Sequence, residues 1–259
     1  MPEGVCKLCL KTKDLQKSHF IPKAMYRYLR DSSSRDPNPV VVGRDVTATT
    51  SKQITDYVLC AECEDLFNKH GESEVLRWVW NGKRFPLGER LAVAHQHYTF
   101  SNFLAFSGTA IGVDTEKFAY FALSVLWRAS VHEWQTPFGG KTKILDLGSV
   151  GEPVRQYLHR QTTFPTDVVV IATACTDPAS SRAFYVPSTV PRAPSTAIGM
   201  LTLGIDFMVL IGHEFPAIVR EMCCARSAPR LIFQRDCGER TIEAFAQIME
   251  TTRRARAMK

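Results

Sequence analysis

Eight cysteines stand in a chain of 259 residues, and four of them form two pairs of one design, Cys6-Lys7-Leu8-Cys9 and Cys60-Ala61-Glu62-Cys63. In a C-x2-C knuckle the backbone curls so that both sulfurs point at one ion. Two knuckles complete the tetrahedral S4 set that Zn2+ prefers. A redox C-x-x-C pair acts alone, at a helix start after a strand, and needs no second copy. The spacing therefore predicts a structural zinc bound by Cys6, Cys9, Cys60 and Cys63. Four protein ligands leave no open coordination position, so chemistry must come from other residues. Cys175, Cys223 and Cys224 have no partner set at metal-ligand spacing and read as buried, inert thiols.

Between the knuckles lies Ser18-His19-Phe20-Ile21-Pro22. Taken alone, a single imidazole beside Phe20 and Ile21 is a hydrogen-bonded core side chain, and Pro22 merely ends a strand. Glu64 and Glu72, beyond the second knuckle, read equally as solvated helix carboxylates, Glu64 being well placed in a first turn. Charge is uneven here: Lys7, Lys11, Lys13, Lys17, Lys23, Arg27 and Arg30 face only Glu3 and Asp14 before residue 31. A second basic group, Arg253, Arg254, Arg256 and Lys259, closes the chain and reads as a frayed, solvated tail.

With a cysteine pair on either side, the Ser-His-x-Ile-Pro segment and the Leu59-Cys60-Ala61-Glu62-Cys63-Glu64 helix start together resemble the zinc-stabilised version of the HNH, or ββα-metal, nuclease family. The likeness is to a branch of bacterial and phage-type proteins with these two signatures, and it covers residues 6 to 74. It implies a treble-clef module and hydrolysis of a nucleic-acid phosphodiester bond, most readily in DNA, in bacterial defence or a phage system. His19 would take the proton from water. Mg2+ or Mn2+ would be held mainly by Glu64, helped by Ser18 or Asn68, four residues further along the same helix, and Lys17, Lys23 and Arg27 would contact backbone phosphates. Asp56 stands near the place of an asparagine that orients the hairpin. Two residues depart from the family pattern. Ser18 replaces an Asp or His, and a neutral hydroxyl is a weak ligand for a hard cation. Glu64 replaces an imidazole, which suits oxygen-preferring ions. The competing expectation is a non-catalytic zinc module that binds nucleic acid or a protein partner.

The elements that must carry these residues read as α+β. Val40 to Val42 and Val46 to Thr50 form a strand, turn, strand segment, and Ala61 to Trp80 has helical periodicity that Gly71 bends or ends. Residues 1–80 are thus expected to form the zinc module, and residues 81–259 an α+β domain of helices on a mainly antiparallel sheet. In the second part Glu116 to Trp134 is the clearest helix, with another over Val154 to Arg160 and a last one over Thr241 to Arg256. Strands are expected at Val168 to Ala174, Ala183 to Val186, Met200 to Leu203, Phe207 to Ile211 and Leu231 to Gln234. This domain would provide oligomerisation, target choice or regulation. On the long helix, Trp127 and Trp134 read as packing residues and Arg128 as the partner of a carboxylate, with a phosphate contact as the alternative. His95 and His97 would share one face of a strand without a third ligand. Gly199 to Gly204 has no phosphate-loop pattern, and neither a Gly-Lys-Ser/Thr loop nor a Gly-x-Ser-x-Gly elbow occurs, so NTPase and serine-hydrolase readings fall away.

Composition sets the outer bounds: 45% hydrophobic and 22% charged residues support a sizeable core, and a net charge of +6 permits a polyanionic partner without demanding one. The apolar runs are too short, or broken by Asp206, to span a membrane. A basic stretch followed by an apolar one does not open the sequence, so a cytoplasmic protein with reduced thiols is expected.

Overall fold

The computed structural model describes residues 1–30, 35–42, 47–100, 103–137, 139–190, 196–226 and 229–238. The expected C-terminal helix and the basic residues of the tail lie outside these. The chain opens with β1 (Glu3–Val5), β2 (Thr12–His19), α1 (Lys23–Tyr28), β3 (Val40–Val42), β4 (Thr47–Thr49) and β5 (Thr55–Cys60). Then α2 (Ala61–Phe67), a π-helical turn (Asn68–Glu72), α3 (Ser73–Trp78) and α4 (Pro86–Ala92) follow without a strand. The long periodic run read from the sequence is therefore three segments, and Gly71 lies inside the π turn.

β1, β2 and β5 form an antiparallel sheet, with Leu15 opposite Cys60 and His19 opposite Thr55. The register slips between Gln16 and Lys17. Such a bulge adds one residue to one strand and shifts the inward-outward alternation after it. Leu15 and Ser18, three apart, are consequently both buried, while Lys17 is exposed. Without the slip Lys17 would point inward and Ser18 out.

The remainder continues with β6 (Tyr98–Phe100), β7 (Phe103–Ser107), α5 (Gly108–Ile111), α6 (Thr115–Val131) and α7 (Gly151–Leu158). It is completed by β8 (Val168–Cys175), α8 (Pro178–Ser181), β9 (Phe184–Val190), β10 (Thr196–Thr202), β11 (Ile205–Ile211), α9 (Ala217–Glu221) and β12 (Leu231–Arg235). Seven strands make one sheet in the order β6-β7-β12-β8-β11-β10-β9, antiparallel except where β12 runs parallel to β8. The five strands expected in the second part fall on this sheet, β3 and β4 pair with each other in a two-stranded one, and the long helix ends at Val131, three residues short of Trp134. His95 and His97 lie before β6 and not on it. Leu203 and Gly204 both adopt positive φ, as a two-residue turn between β10 and β11 requires. This hairpin accounts for the Gly199 to Gly204 run.

Asp114 caps α6 by accepting the Lys117 N–H, and the helix is apolar nearly all round because it lies inside the molecule. One face meets the large sheet through Phe118 and Phe121 against Phe207. The other meets the zinc-module segment, where Phe67 packs edge-on against Tyr120 and Trp127. The hydrophobic core is continuous from Cys6 and Leu8 through α6 to Ile232. Two arginines tie the same parts together: Arg128 donates to the Phe20 carbonyl and Arg155, on α7, to the Leu8 carbonyl at 2.5 Å. Among the described residues no helix is long and apolar enough to cross a membrane.

The π turn touches α6 at Gly71, where an added Cβ would stand 2.9 Å from the Phe121 backbone nitrogen. Gly71→Ala should therefore force the two segments apart and destabilise the fold by about 1–3 kcal/mol, read as a lower urea midpoint with an unchanged slope.

Candidate metal centre and the histidine-carboxylate cluster

The two knuckles meet. The first is the turn joining β1 to β2, closed by the Leu10 N–H on the Cys6 carbonyl with Leu10 at φ 61°. The second straddles the end of β5 and the start of α2. All four Sγ atoms lie within 4.8 Å of one another, and Cys9 and Cys60 are 3.9 Å apart. A tetrahedron with Zn–S bonds of about 2.3 Å has edges of about 3.8 Å, so this cluster is close enough to hold a metal ion and matches the size of a structural zinc site. The charges agree. The Cys6 thiol is pulled down to about 4, first by the hydrogen bond from Cys63 and then, against burial, by the backbone N–H groups of Cys9, Cys60 and Leu8. Cys63 is pushed up, first by that same hydrogen bond and then by burial, and Cys60 rises to about 11 because it is buried. The neighbours thus favour one thiolate, and a bound cation would favour the others.

Beside the knuckles the hairpin and helix bring a second group of side chains together. Ser18 is buried, and its Oγ accepts the Leu59 N–H at 3.2 Å. The same hydroxyl lowers the proton affinity of Glu64. Burial nevertheless raises the Glu64 pKa, and its Oε1 is enclosed without a hydrogen-bond partner among the described residues. His19 is half-buried, with Nε2 2.8 Å from Gln53 Oε1. Burial and the charges of Lys23 and Arg128 lower its pKa, against the opposing effects of Gln53 and Glu72, so the ring is neutral at neutral pH. Arg128 lies within this group at 1% side-chain exposure. It donates to Glu72 at 2.5 Å, and its guanidinium carbon sits 4.6 Å over the Phe67 ring.

His19 and Glu64 therefore both lie within electrostatic reach of the Glu72–Arg128 pair, with Ser18 beside Glu64. Asn68 does not join them: it is exposed, and its Oδ1 accepts from Ser73 Oγ at 2.8 Å. The α winding runs unbroken from Glu64 to Asn68, whose N–H reaches the Glu64 carbonyl, but the Asn68 side chain turns outward to Ser73. Lys17, Lys23 and Arg27 are exposed and carry no ion pair among the described residues. Arg128 pairs with a carboxylate, as its alternative to a phosphate contact, and its burial takes it away from solvent. Asp56 Oδ2 lies 2.9 Å from His132 Nε2, joining β5 to the end of α6.

Gln53 is the site residue that sequence reasoning missed. It stands in an irregular stretch before β5, and nothing in its neighbours marks it. Cys175 is a correction: it is disulfide-bonded to Cys237, with the Cα atoms 5.3 Å apart, and is not an inert thiol. Those two cysteines are 62 residues apart in sequence and meet only because β12 lies parallel beside β8.

Compared with known protein families, with curated proteins and with solved structures, the chain matches none.

Elemental analysis of purified protein should find one zinc per chain. Stripping it with a strong chelator should lower the melting temperature and expose four titratable thiols, and Cys63→Ser should likewise lower the melting temperature and leave the three remaining site thiols titratable, because one tetrahedral ligand is lost.

Proposed function

We propose that this protein is an HNH-like, metal-dependent endonuclease in which a zinc-held treble clef presents His19 and Glu64 to a nucleic-acid phosphodiester. What supports this reading is that His19, from the end of β2, and Glu64, from α2, both feel the charges of the Glu72–Arg128 pair. A neutral, half-buried imidazole is in the right state to take a proton from an attacking water. If Gln53 Oε1 accepts the Nε2 proton, Nδ1 is left as the basic nitrogen. The donor set fits a hard cation through Glu64, whose buried Oε1 has no partner among the described residues. Mg2+ commonly binds one or two carboxylates together with phosphate oxygens, which suits a site where Ser18 is already engaged and Asn68 faces solvent. A bound Mg2+ or Mn2+ would stabilise charge developing on the scissile phosphate. Lys17, Lys23 and Arg27 supply exposed positive charge beside His19, and such contacts carry no base identity.

A second reading is favoured by one observation: Arg128 already provides a buried positive charge among Glu72 and Glu64. In that case the module binds nucleic acid or a protein without cleaving it.

Nicking of a supercoiled plasmid with Mg2+, Mn2+ or Ni2+ tests both readings. The nuclease reading expects metal-dependent nicking that His19→Ala lowers by roughly 10²–10⁴-fold, while plasmid that is bound but equally uncut by both proteins establishes the second. DNA binding should weaken with salt, and Lys23→Ala should shallow the logarithmic slope by about 0.9. The acid limb of the rate profile should have its midpoint below 6.5, because the working form of His19 is the neutral one and its pKa is depressed. Gln53→Leu removes an interaction that favours the protonated ring and should move that limb lower still.

A further inference from the structure

A cleft of about 510 Å³ opens on the far side of the π turn, bounded by that turn, the first turns of α6 and the chain that follows α7. We propose that it binds a small phosphorylated molecule, whose phosphate is gripped by Arg160, Lys117 and His70 with help from the hydroxyls of Thr162 and Thr163. The proposal is independent of the nuclease reading.

Its first support is a set of donors with nothing to do. Arg160 is exposed, and its guanidinium makes no hydrogen bond or ion pair among the described residues. Thr162 and Thr163 carry hydroxyls with no partner in the same set, and the His70 ring lies 5.6 Å from the Tyr120 ring between centroids. Second, Arg160 closes α7 in the left-handed position of a helix C-terminal cap, with the Gln161 N–H on the Gln156 carbonyl, and this turn sends the chain carrying Thr162 and Thr163 along the wall of the cleft. Third, the carboxylates of the cleft are already neutralised: Asp114 caps α6 and lies 3.6 Å from Lys117 Nζ, while Glu116 pairs with Arg230. Burial first, and then the charges of Arg160, Lys117 and Lys69 against that of Asp65, lower the His70 pKa. Lys69 is held by Asp65 at 2.6 Å and Lys117 lies 3.6 Å from Asp114, so Arg160 is the unpaired positive charge that the cleft offers to an anion among the described residues.

The volume lies within the range of small-molecule sites, about 300–1,000 Å³, and exceeds what inorganic phosphate alone would fill. A compact organic group therefore fits beside the phosphate, against the Tyr157 and Phe164 rings.

Titration calorimetry with AMP, inorganic phosphate and adenosine tests this, alongside NMR titration of ¹³C-labelled histidines with His70 assigned by His70→Gln. AMP should bind at about 1 mM or tighter, phosphate more weakly, and adenosine not measurably. Arg160→Gln, an exposed position that leaves the core untouched, should weaken AMP by about tenfold. Bound phosphate should raise the His70 pKa, since an anion now offsets the surrounding cations. Binding of adenosine equal to AMP, AMP affinity unchanged in both Arg160→Gln and Lys117→Met, or a His70 titration unmoved by saturating phosphate would each overturn the proposal.

Discussion

Four sulfurs within 4.8 Å of one another are the constraint on which the N-terminal architecture rests. Neighbouring thiolates repel, and only a shared cation turns that repulsion into a bond between two stretches of chain. Closing the long loop from Cys9 to Cys60 costs conformational entropy that three short strands of this sheet offset poorly by themselves. Once the knuckles are joined, β2 and β5 are forced side by side, and α2 must start at Cys60. The positions of Ser18, His19 and Glu64 then follow from register and helix phase.

The second constraint is the buried Arg128. A guanidinium at 1% exposure is expensive to desolvate, and here it is matched by Glu72, the Phe20 carbonyl and the face of Phe67. Each of those partners belongs to the N-terminal segment, so the ion pair fixes how α6 sits against the hairpin. The π turn serves the same contact. By inserting a wider turn after Phe67, it directs Glu72 to Arg128 and His70 to the opposite side, where Gly71 lies flat on α6. One segment thereby lines both the histidine-carboxylate cluster and the separate cationic cleft.

Much of this was legible in the residues. Cysteine spacing identified the four sulfurs, apolar periodicity identified α6, and β-branched runs identified the strands of the large sheet. The bulge at Gln16 and Lys17 was not legible, because alternation in β2 is read from polarity and Ser18 looks like a surface residue until the slip turns it inward. Asn68 looked like a partner of Glu64 because helix spacing fixes where a residue stands and not where its amide turns, and here it turns to Ser73. Gln53 and Cys237 were invisible for another reason: each matters only through a residue far away in sequence, His19 in one case and Cys175 in the other.

The sequence by itself determined which atoms can hold zinc and which segments are helix or strand, since ligand type and hydrophobic period are local properties of the chain. The tertiary structure alone decided which charges meet, which hydroxyls are already spent and which histidine faces which cation. Those outcomes depend on sums of weak contacts across the packed interior, and a shift of one residue in a strand or one turn in a helix reverses them.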